Sequence, residues 1–205
     1  MILIGVNRSP YTRRVAITLT VYGMTYEQRP VSGFDDRAEV RAANPLGRIP
    51  ALVLDSGETL VDSVAILDHL DEVHGRDRAL TPASGPERRL VLRLAAILMG
   101  TCDKVLQAAY HRIHLPPEKR HQPWIDDCAA QVRHALAAVD AMVPRDSDYL
   151  VLDRLTQADV CAVVAERFAR GGLAIDTAEM PRLRALTEEL SRRPDFQVAE
   201  HPRQA

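Results

Sequence analysis

The feature that most constrains the fold of this chain is a change of hydrophobic pattern part-way along it. Residues 2–6 are a short apolar run of the kind that forms a buried strand. Residues 51–54 and 58–61 flank a turn signal that contains Gly57, and together they predict a hairpin. From residue 87 onward, apolar side chains recur only at helical spacing. The pattern therefore predicts two packed units, an α/β unit followed by an all-helical unit.

Further elements complete the predicted α/β unit. A helix is expected to begin at Pro10, directly after the first strand. Residues 26–32 alternate weakly and predict an edge strand, because Pro30 has no N–H to donate to a ladder. A short polar helix is expected around residues 36–43, and residues 62–74 carry apolar side chains at helical spacing.

The stretch from Arg76 to Pro86 is rich in proline, glycine and serine and predicts a linker. The sequence therefore predicts a first domain over residues 1–76, a linker over 77–86 and an all-helical domain over 87–205. Two helices of that last domain are expected to run from Glu87 to about Tyr110 and from Trp124 to about Val143. A third is expected to begin at a capping box formed by Thr156 and Asp159, and the last helix of the chain is expected to begin at Met180. Residues 201–205 are expected to be a loose tail.

Charge, hydropathy and cysteine content indicate which partners and which cellular location to expect. The 26 lysines and arginines nearly balance the 28 aspartates and glutamates, so no attraction to nucleic acid or to an anionic membrane is expected. The arginine doublets, such as Arg13-Arg14, are predicted to lie on solvated helix faces. No apolar run approaches the roughly 18 residues of a membrane span. The three cysteines form no CxxC pair, which predicts free thiols and a reducing, cytoplasmic location.

Three short stretches carry signals that a plain strand or helix does not need. Ser9 precedes a proline at a helix start, and that helix end both needs a cap and stabilises an anion such as a thiolate. Ile49-Pro50 precedes a strand, so the chain there has free backbone groups for an extended peptide. Asp62-Ser63 opens a helix and suits a ligand that carries an ammonium and a carboxylate. Each stretch also has a purely structural explanation, as a cap or as a turn.

Taken in order along the chain, the motifs resemble those of the glutathione S-transferase family. They are S-P-Y-x-R-R-V, N-P-x-G-x-I-P-A-L, L-x-D-S-x-A-I and L-T-x-A-D-V, and the resemblance covers nearly the whole chain. It implies a thioredoxin-like N-terminal domain that binds glutathione and an all-helical C-terminal domain that lines the pocket of the second substrate. It also implies a homodimer, a cis Ile49–Pro50 bond, and glutathione as co-substrate with no cofactor.

The resemblance further implies roles for individual residues. Ile49, before the cis Pro50, would pair its backbone with the cysteinyl part of glutathione, and Arg48 would lie near a glycyl or glutamyl carboxylate. Asp62 and Ser63 would hold the γ-glutamyl group. Asp103, in the long helix, would reach the γ-glutamyl ammonium bound to the other subunit. Candidate walls of the second-substrate pocket, for which core packing is the alternative, are Tyr11, Leu106, Tyr110 and Arg112, the last favouring an acidic or polarised electrophile.

The catalytic group differs among classes of the family. Gly5 stands near the end of the first strand, where tyrosine-type members have a hydroxyl, and Ser9 stands where thiol-type members have a cysteine. The chain therefore looks like a serine-type member, in which Ser9 donates its hydroxyl to the glutathione thiolate. Thr12, Tyr11 and Arg13 lie within one turn and could substitute for it or assist. The expected reaction is attack of the thiolate on a small, mostly apolar electrophile, with detoxification as the expected role.

Two other functions stay open. A glutathione-dependent isomerisation or reductive dehalogenation would use the same thiolate, although the S-P-Y sequence differs from the serine-serine-cysteine pattern of isomerase-type members. A non-catalytic module of the same family would bind partners without turnover, although such a module need not keep all three motifs. A metal site at His111, His114 and His121 is not expected, because a metal needs more acidic or histidine ligands than this.

Overall fold

The N-terminal part of the chain folds around a four-stranded mixed sheet. The strand order is β2-β1-β3-β4, in which β1 runs parallel to β2 and antiparallel to β3, and β3 runs antiparallel to β4. This thioredoxin-like arrangement confirms the predicted edge strand and the predicted hairpin. The elements in chain order are β1 (Ile2–Ile4), α1 (Pro10–Val21), β2 (Glu27–Arg29), α2 (Arg37–Ala43), β3 (Ala51–Val53), β4 (Thr59–Val61) and α3 (Ser63–His74).

One side of the sheet packs on a small apolar cluster that positions the loop before β3. Ile4, Val31, Val40 and Ala51 are buried there, and Ile49 packs against them. Ile4 and Ala51 are register partners on neighbouring strands, so the end of β1 lies beside the beginning of β3. The packing therefore fixes the segment that enters β3 against the end of β1.

The second part of the chain is helical. Its elements are α4 (Gly85–His114), a 3-10 turn (Pro117–Lys119), α5 (Gln122–Asp140), α6 (Gln157–Leu173), a second 3-10 turn (Thr177–Glu179) and α7 (Pro181–Leu190). The long helix α4 packs against both α5 and α6 and extends beyond its predicted ends. At Gly172 of α6 a Cβ atom would lie 2.4 Å from Cγ1 of Val105, so glycine permits the close approach of α6 to α4.

The capping box predicted at the start of α6 is present. The backbone N–H of Thr156 donates to Oδ2 of Asp159 at 2.8 Å, and the Thr156 side chain accepts from the first helical turn. The other carboxylate oxygen of Asp159 accepts from the N–H of Leu150 at 2.7 Å. Burial raises the pKa of Asp159, although its hydrogen bonds act in the opposite direction.

The computed structural model describes residues 1–197 and divides into two compact units. One unit contains residues 1–79 and 192–197, and the other contains residues 80–191. The short helix α8 (Pro194–Gln197) belongs to the first unit, where it packs against α1. The prediction that the helix after Met180 is the last one is therefore wrong, because four residues give no periodic signal.

Two further predictions concern the C-terminal tail and membrane-spanning helices. The tail predicted at residues 201–205 lies outside the described residues. Within residues 1–197, none of the helices combines the length and the apolar content needed to cross a bilayer.

Candidate functional site

Ser9 lies at the N-cap of α1, directly after the turn that follows β1. Its backbone is extended, Pro10 occupies the first turn of the helix, and its Oγ accepts a hydrogen bond from the N–H of Thr12 at 3.4 Å. A hydroxyl that accepts in this way still has its own hydrogen to donate. Ser9 is half-buried. The predicted cap is confirmed, and the hydroxyl has the hydrogen that thiolate stabilisation requires.

The hydroxyl of Thr12, in the same helical turn, is placed less well. Thr12 is fully buried, and its Oγ1 has no hydrogen-bond partner among the described residues. That oxygen lies against Gly5, where an added Cβ atom would approach it to 2.6 Å. Because the Thr12 hydroxyl is closed off by packing, Ser9 is the better-placed hydroxyl of the first turn. Tyr11 and Arg13 of the same turn are half-buried.

Gly5 is the point where β1, α1 and the loop before β3 meet. Its φ is +139°, a conformation that side-chain-bearing residues rarely adopt. A Cβ atom there would also lie 3.1 Å from Cβ of Ile49. The sequence alone indicates at Gly5 only that a tyrosine is absent, and it does not indicate that this contact requires a glycine.

The loop that carries Ile49 is held by Asn44, the first residue of the N-P-x-G-x-I-P-A-L motif, to which the sequence analysis assigned no role. The Ile49–Pro50 bond is cis, as the resemblance implies. Nδ2 of Asn44 donates to the carbonyl oxygen of Arg48 at 2.8 Å, and Oδ1 of Asn44 accepts from the N–H of Leu46 at 3.1 Å. The buried amide therefore ties both ends of the loop together, while the Arg48 side chain is exposed.

The start of α3 is built from Asp62 and Ser63. Asp62 is the N-cap, with a φ of 69°, and its Oδ1 accepts from the N–H of Val64 at 2.8 Å. Its carboxylate is exposed, whereas Ser63 is only 2% exposed. Oγ of Ser63 accepts a hydrogen bond from Nη2 of Arg14 at 2.7 Å. The two residues therefore place an open carboxylate beside a buried hydroxyl.

The expected solvated position of Arg14 is wrong. Arg14 is only 5% exposed, because it lies on the face of α1 that packs against α3. An arginine doublet gives no indication of which member faces inward, because Arg13 and Arg14 both have apolar neighbours one turn away. Through its bond to Ser63, Arg14 connects α1 to the start of α3.

The predicted site residues thus fall into two sets. Ser9, the Ile49–Pro50 loop and the Asp62–Ser63 helix start belong to the first unit, where Gly5 and Arg14 connect them. The remaining candidates, apart from the half-buried Tyr11, lie on α4 in the second unit: Asp103 and Arg112 are exposed, Leu106 is half-buried, and the exposed Tyr110 makes an edge contact with His114 at 5.4 Å between ring centroids.

Other features of the described chain do not coincide with these residues. A cleft of about 520 Å³ in the second unit is lined by residues of α7 and of the loop after α5, and none of the predicted site residues borders it. Within residues 1–197, no cluster of histidine, cysteine, aspartate or glutamate has the composition of a metal site. Cys102, Cys128 and Cys161 are buried and are not joined in disulfide bonds.

Comparison with known proteins gives a consistent result over both units. A family model described as glutathione S-transferase, N-terminal domain, matches residues 3–79, and one described as glutathione S-transferase, C-terminal domain, matches residues 101–194. The maleylacetoacetate isomerase of Pseudomonas aeruginosa is 35% identical, over 95% of this chain and 92% of its own length.

Two solved structures extend the likeness to three dimensions. A glutathione S-transferase from Methylobacterium radiotolerans, in complex with glutathione sulfonate, is 28% identical with a TM-score of 0.91, over 100% of this chain and 96% of that one. A bacterial zeta-class maleyl pyruvate isomerase is 26% identical with a TM-score of 0.83, over 100% of both chains. Because the two family models together span most of the sequence, the chain belongs to the glutathione S-transferase family.

Proposed function

We propose that this chain is a glutathione-dependent enzyme that adds the glutathione thiolate to an electrophilic carbon of a second substrate. The observation that carries the proposal is the position of Ser9, whose hydroxyl accepts from the backbone of α1 and keeps its hydrogen for a ligand. A sulfur bound at this helix start would receive that hydrogen bond and the field of the helix end together.

The chemistry required of this position is a lowered thiol pKa. A free thiol has a pKa of about 8.5 and is mostly protonated at neutral pH. The Ser9 hydroxyl and the N-terminal end of α1 both favour the anionic form, so they raise the fraction of reactive thiolate. Holding the thiolate next to the second substrate then supplies the rest of the rate enhancement.

The remaining residues of the first unit would bind the rest of the tripeptide. The backbone of Ile49 would pair with the cysteinyl part, and Arg48 would meet a carboxylate. The exposed carboxylate of Asp62 suits the γ-glutamyl ammonium. Its Oδ1 accepts from the backbone of α3, and this bond holds the carboxylate in place at the helix start. Ser63 lies beside it at the same helix start. Asp103 would contribute from the other subunit.

Transfer of an alkyl or aryl group is the reaction we propose first. The thiolate forms a carbon–sulfur bond, the bond to a leaving group such as halide breaks, and the proton of the thiol passes to solvent. Tyr11, Leu106 and Tyr110 would contact the apolar part of the electrophile, and Arg112 would favour an acidic one. The role would be detoxification.

Glutathione-dependent isomerisation is the second candidate, and the relative named maleylacetoacetate isomerase, 35% identical to this chain, favours it. In this reaction the thiolate adds to a conjugated double bond, the resulting single bond rotates, and the thiolate leaves. Glutathione is regenerated, so the two candidates share the addition step and differ in the fate of the carbon–sulfur bond. The S-P-Y sequence retains the serine but not the serine-serine-cysteine pattern.

The experiment that tests the proposal measures glutathione and product together. The purified protein is incubated with glutathione and either maleylacetoacetate or a panel of aryl and alkyl halides. Stoichiometric loss of glutathione with halide release supports transfer, whereas isomerised product with glutathione unchanged supports isomerisation. Binding of glutathione without turnover on any substrate would instead favour a non-catalytic module.

The proposal includes a cytoplasmic homodimer with no cofactor besides its co-substrate. Val64 and Val73 of α3 are 66% and 62% exposed, and a dimer interface would remove such apolar side chains from water. The buried cysteines, which are not joined in disulfide bonds, agree with a reducing compartment. Light scattering coupled to size-exclusion chromatography tests the dimer, and a monomer at micromolar concentration would contradict it.

A further inference from the structure

We propose that Arg14 is a positioning residue for the γ-glutamyl carboxylate of glutathione, and that it acts through Ser63. This inference rests on the proposed function and names a residue that the resemblance does not imply. Three properties of the Arg14–Ser63 pair carry it: the burial of the guanidinium, the direction of the hydrogen bond, and the location of the pair at a helix start.

The burial of Arg14 requires an explanation. Arginine carries a charged guanidinium in proteins, and a buried charge is costly unless its surroundings compensate it. Arg14 is 5% exposed, and it donates from Nη2 to a serine that is 2% exposed. A methionine would fill a similar volume on α1 but could not donate a hydrogen bond to Ser63.

The direction of the hydrogen bond decides what Ser63 can do. A serine hydroxyl has one hydrogen to donate and two lone pairs that accept. Because Arg14 has only donors, Ser63 must accept from it, at 2.7 Å. The hydrogen of Ser63 is then available to an acceptor on its other side. A carboxylate is the acceptor that gains most from such a donor.

The electrostatic setting favours the same ligand group. Ser63 is the first residue of α3, a helix of 12 residues whose N-terminal end carries positive partial charge. The guanidinium of Arg14 adds a full positive charge behind the hydroxyl. The exposed carboxylate of Asp62, next to Ser63, is placed for the ammonium of the same amino acid group. The γ-glutamyl carboxylate would therefore bind at Ser63, in front of Arg14, and the γ-glutamyl ammonium would bind at Asp62.

The test compares two ligands on wild type and Arg14→Met. One ligand is glutathione, and the other is γ-aminobutyryl-cysteinyl-glycine, which lacks only the carboxylate in question. We expect wild type to bind the second ligand at least about tenfold more weakly than the first, as for a lost charge-assisted hydrogen bond. We expect Arg14→Met to weaken glutathione binding by a similar factor. The affinities of this variant for the two ligands should differ by less than about twofold.

Controls separate this role from a merely structural one. Arg76→Met removes an exposed arginine that also donates to a side chain of α3, at 3.1 Å to Asp68, and should keep the full discrimination. Arg14→Lys keeps the charge and should restore part or all of the discrimination. Arg14→Gln, which lacks the charge, replaces Arg14→Met if the latter does not fold. Equal discrimination by wild type and the uncharged Arg14 variant overturns the inference. Failure of wild type to bind glutathione at all overturns the proposed function first.

Discussion

Oγ of Ser9 accepts a hydrogen bond from the backbone N–H of Thr12 at 3.4 Å, so a single hydroxyl both caps α1 and has a hydrogen to donate at the helix start. Capping and thiolate stabilisation use different parts of this group. The cap uses a lone pair of the oxygen, whereas the thiolate would use the hydrogen. The two functions can therefore be separated by substitution.

Ser9→Gly is expected to remove sulfur activation and to leave the cap nearly intact. Glycine at an N-cap costs only a few tenths of a kcal/mol relative to serine, whereas Ser9→Ala costs about 1 kcal/mol. Both variants should raise the pKa of the glutathione thiol in the complex, measured by ultraviolet titration of the thiolate. Both should lower kcat/KM by about 100-fold, as for the loss of one donor to a reacting anion.

Thr12→Val is the matched control, because it removes a buried hydroxyl that has no hydrogen-bond partner among the described residues. The thiol pKa should match that of wild type. If the thiol pKa is instead raised in Thr12→Val and unchanged in Ser9→Gly, Thr12 and not Ser9 activates the sulfur.

Gly5→Ala is expected to disturb both the fold and the loop that carries Ile49. The new Cβ atom would lie 2.6 Å from Oγ1 of Thr12 and 3.1 Å from Cβ of Ile49, at a φ of +139°. The backbone conformation alone costs about 1–3 kcal/mol, and relief of the contacts requires movement of Ile49. Urea denaturation should show the loss of stability, and calorimetry should show weaker glutathione binding.

Gly57→Ala separates the two effects. Gly57 also has a positive φ, +87°, but an added Cβ atom there would meet nothing within 4 Å. This variant should lose stability through backbone strain alone and should bind glutathione as tightly as wild type. Equal glutathione affinity of Gly5→Ala and wild type would show that the contact with Ile49 does not shape the site.

The sequence was most informative where a local rule decides the structure. The N-cap at Ser9 and the capping box of Thr156 and Asp159 follow from backbone groups that a nearby side chain must satisfy, and both are present. The hairpin before α3 follows from its turn signal. These features depend on residues a few positions apart, so no tertiary information is needed.

The sequence was least informative where distant segments decide a residue's environment. Arg14 has the pattern of a surface charge, and only the packing of α1 on α3 places it against Ser63. The sequence shows only that Gly5 occupies a position where tyrosine-type members have a hydroxyl. The close approach of Ile49 in the structure shows why a side chain is excluded there. Asn44 has a role because the chain returns to it four residues later, at Arg48. Roles of the site residues as ligands stay predictions.

Asp159→Asn is expected to destabilise the second unit at neutral pH. Asparagine keeps one acceptor oxygen but replaces the other with an amide that cannot accept from the N–H of Thr156. Two buried donors of Thr156, its N–H and its hydroxyl, lose this acceptor. A buried donor without an acceptor costs about 1–3 kcal/mol in the free energy of unfolding. Urea denaturation measures it, and the exposed Asp148→Asn is the control that should change little.

The pH dependence of this difference has a definite sign. Burial raises the pKa of Asp159 in the folded protein above the value of about 3.9 in the unfolded chain. The folded state then holds the proton more tightly, so this group's contribution to stability falls as the pH rises from about 3.9 to the folded pKa and is constant above it. The advantage of wild type over Asp159→Asn should therefore shrink with rising pH in that window. An advantage that grows there would mean that the hydrogen bonds outweigh burial.

Phe196→Ala is expected to loosen α1, although the two lie far apart in the sequence. Phe196 is buried at the end of the described chain, and its helix α8 packs against α1 within the first unit. Removal of a buried phenylalanine side chain costs about 3–5 kcal/mol, so hydrogen exchange of the α1 amides should become faster. Phe34→Ala, which removes a phenylalanine that is 44% exposed in the same unit, should leave that exchange close to wild type. Unchanged protection of α1 in Phe196→Ala would show that α8 lies on the helix without stabilising it.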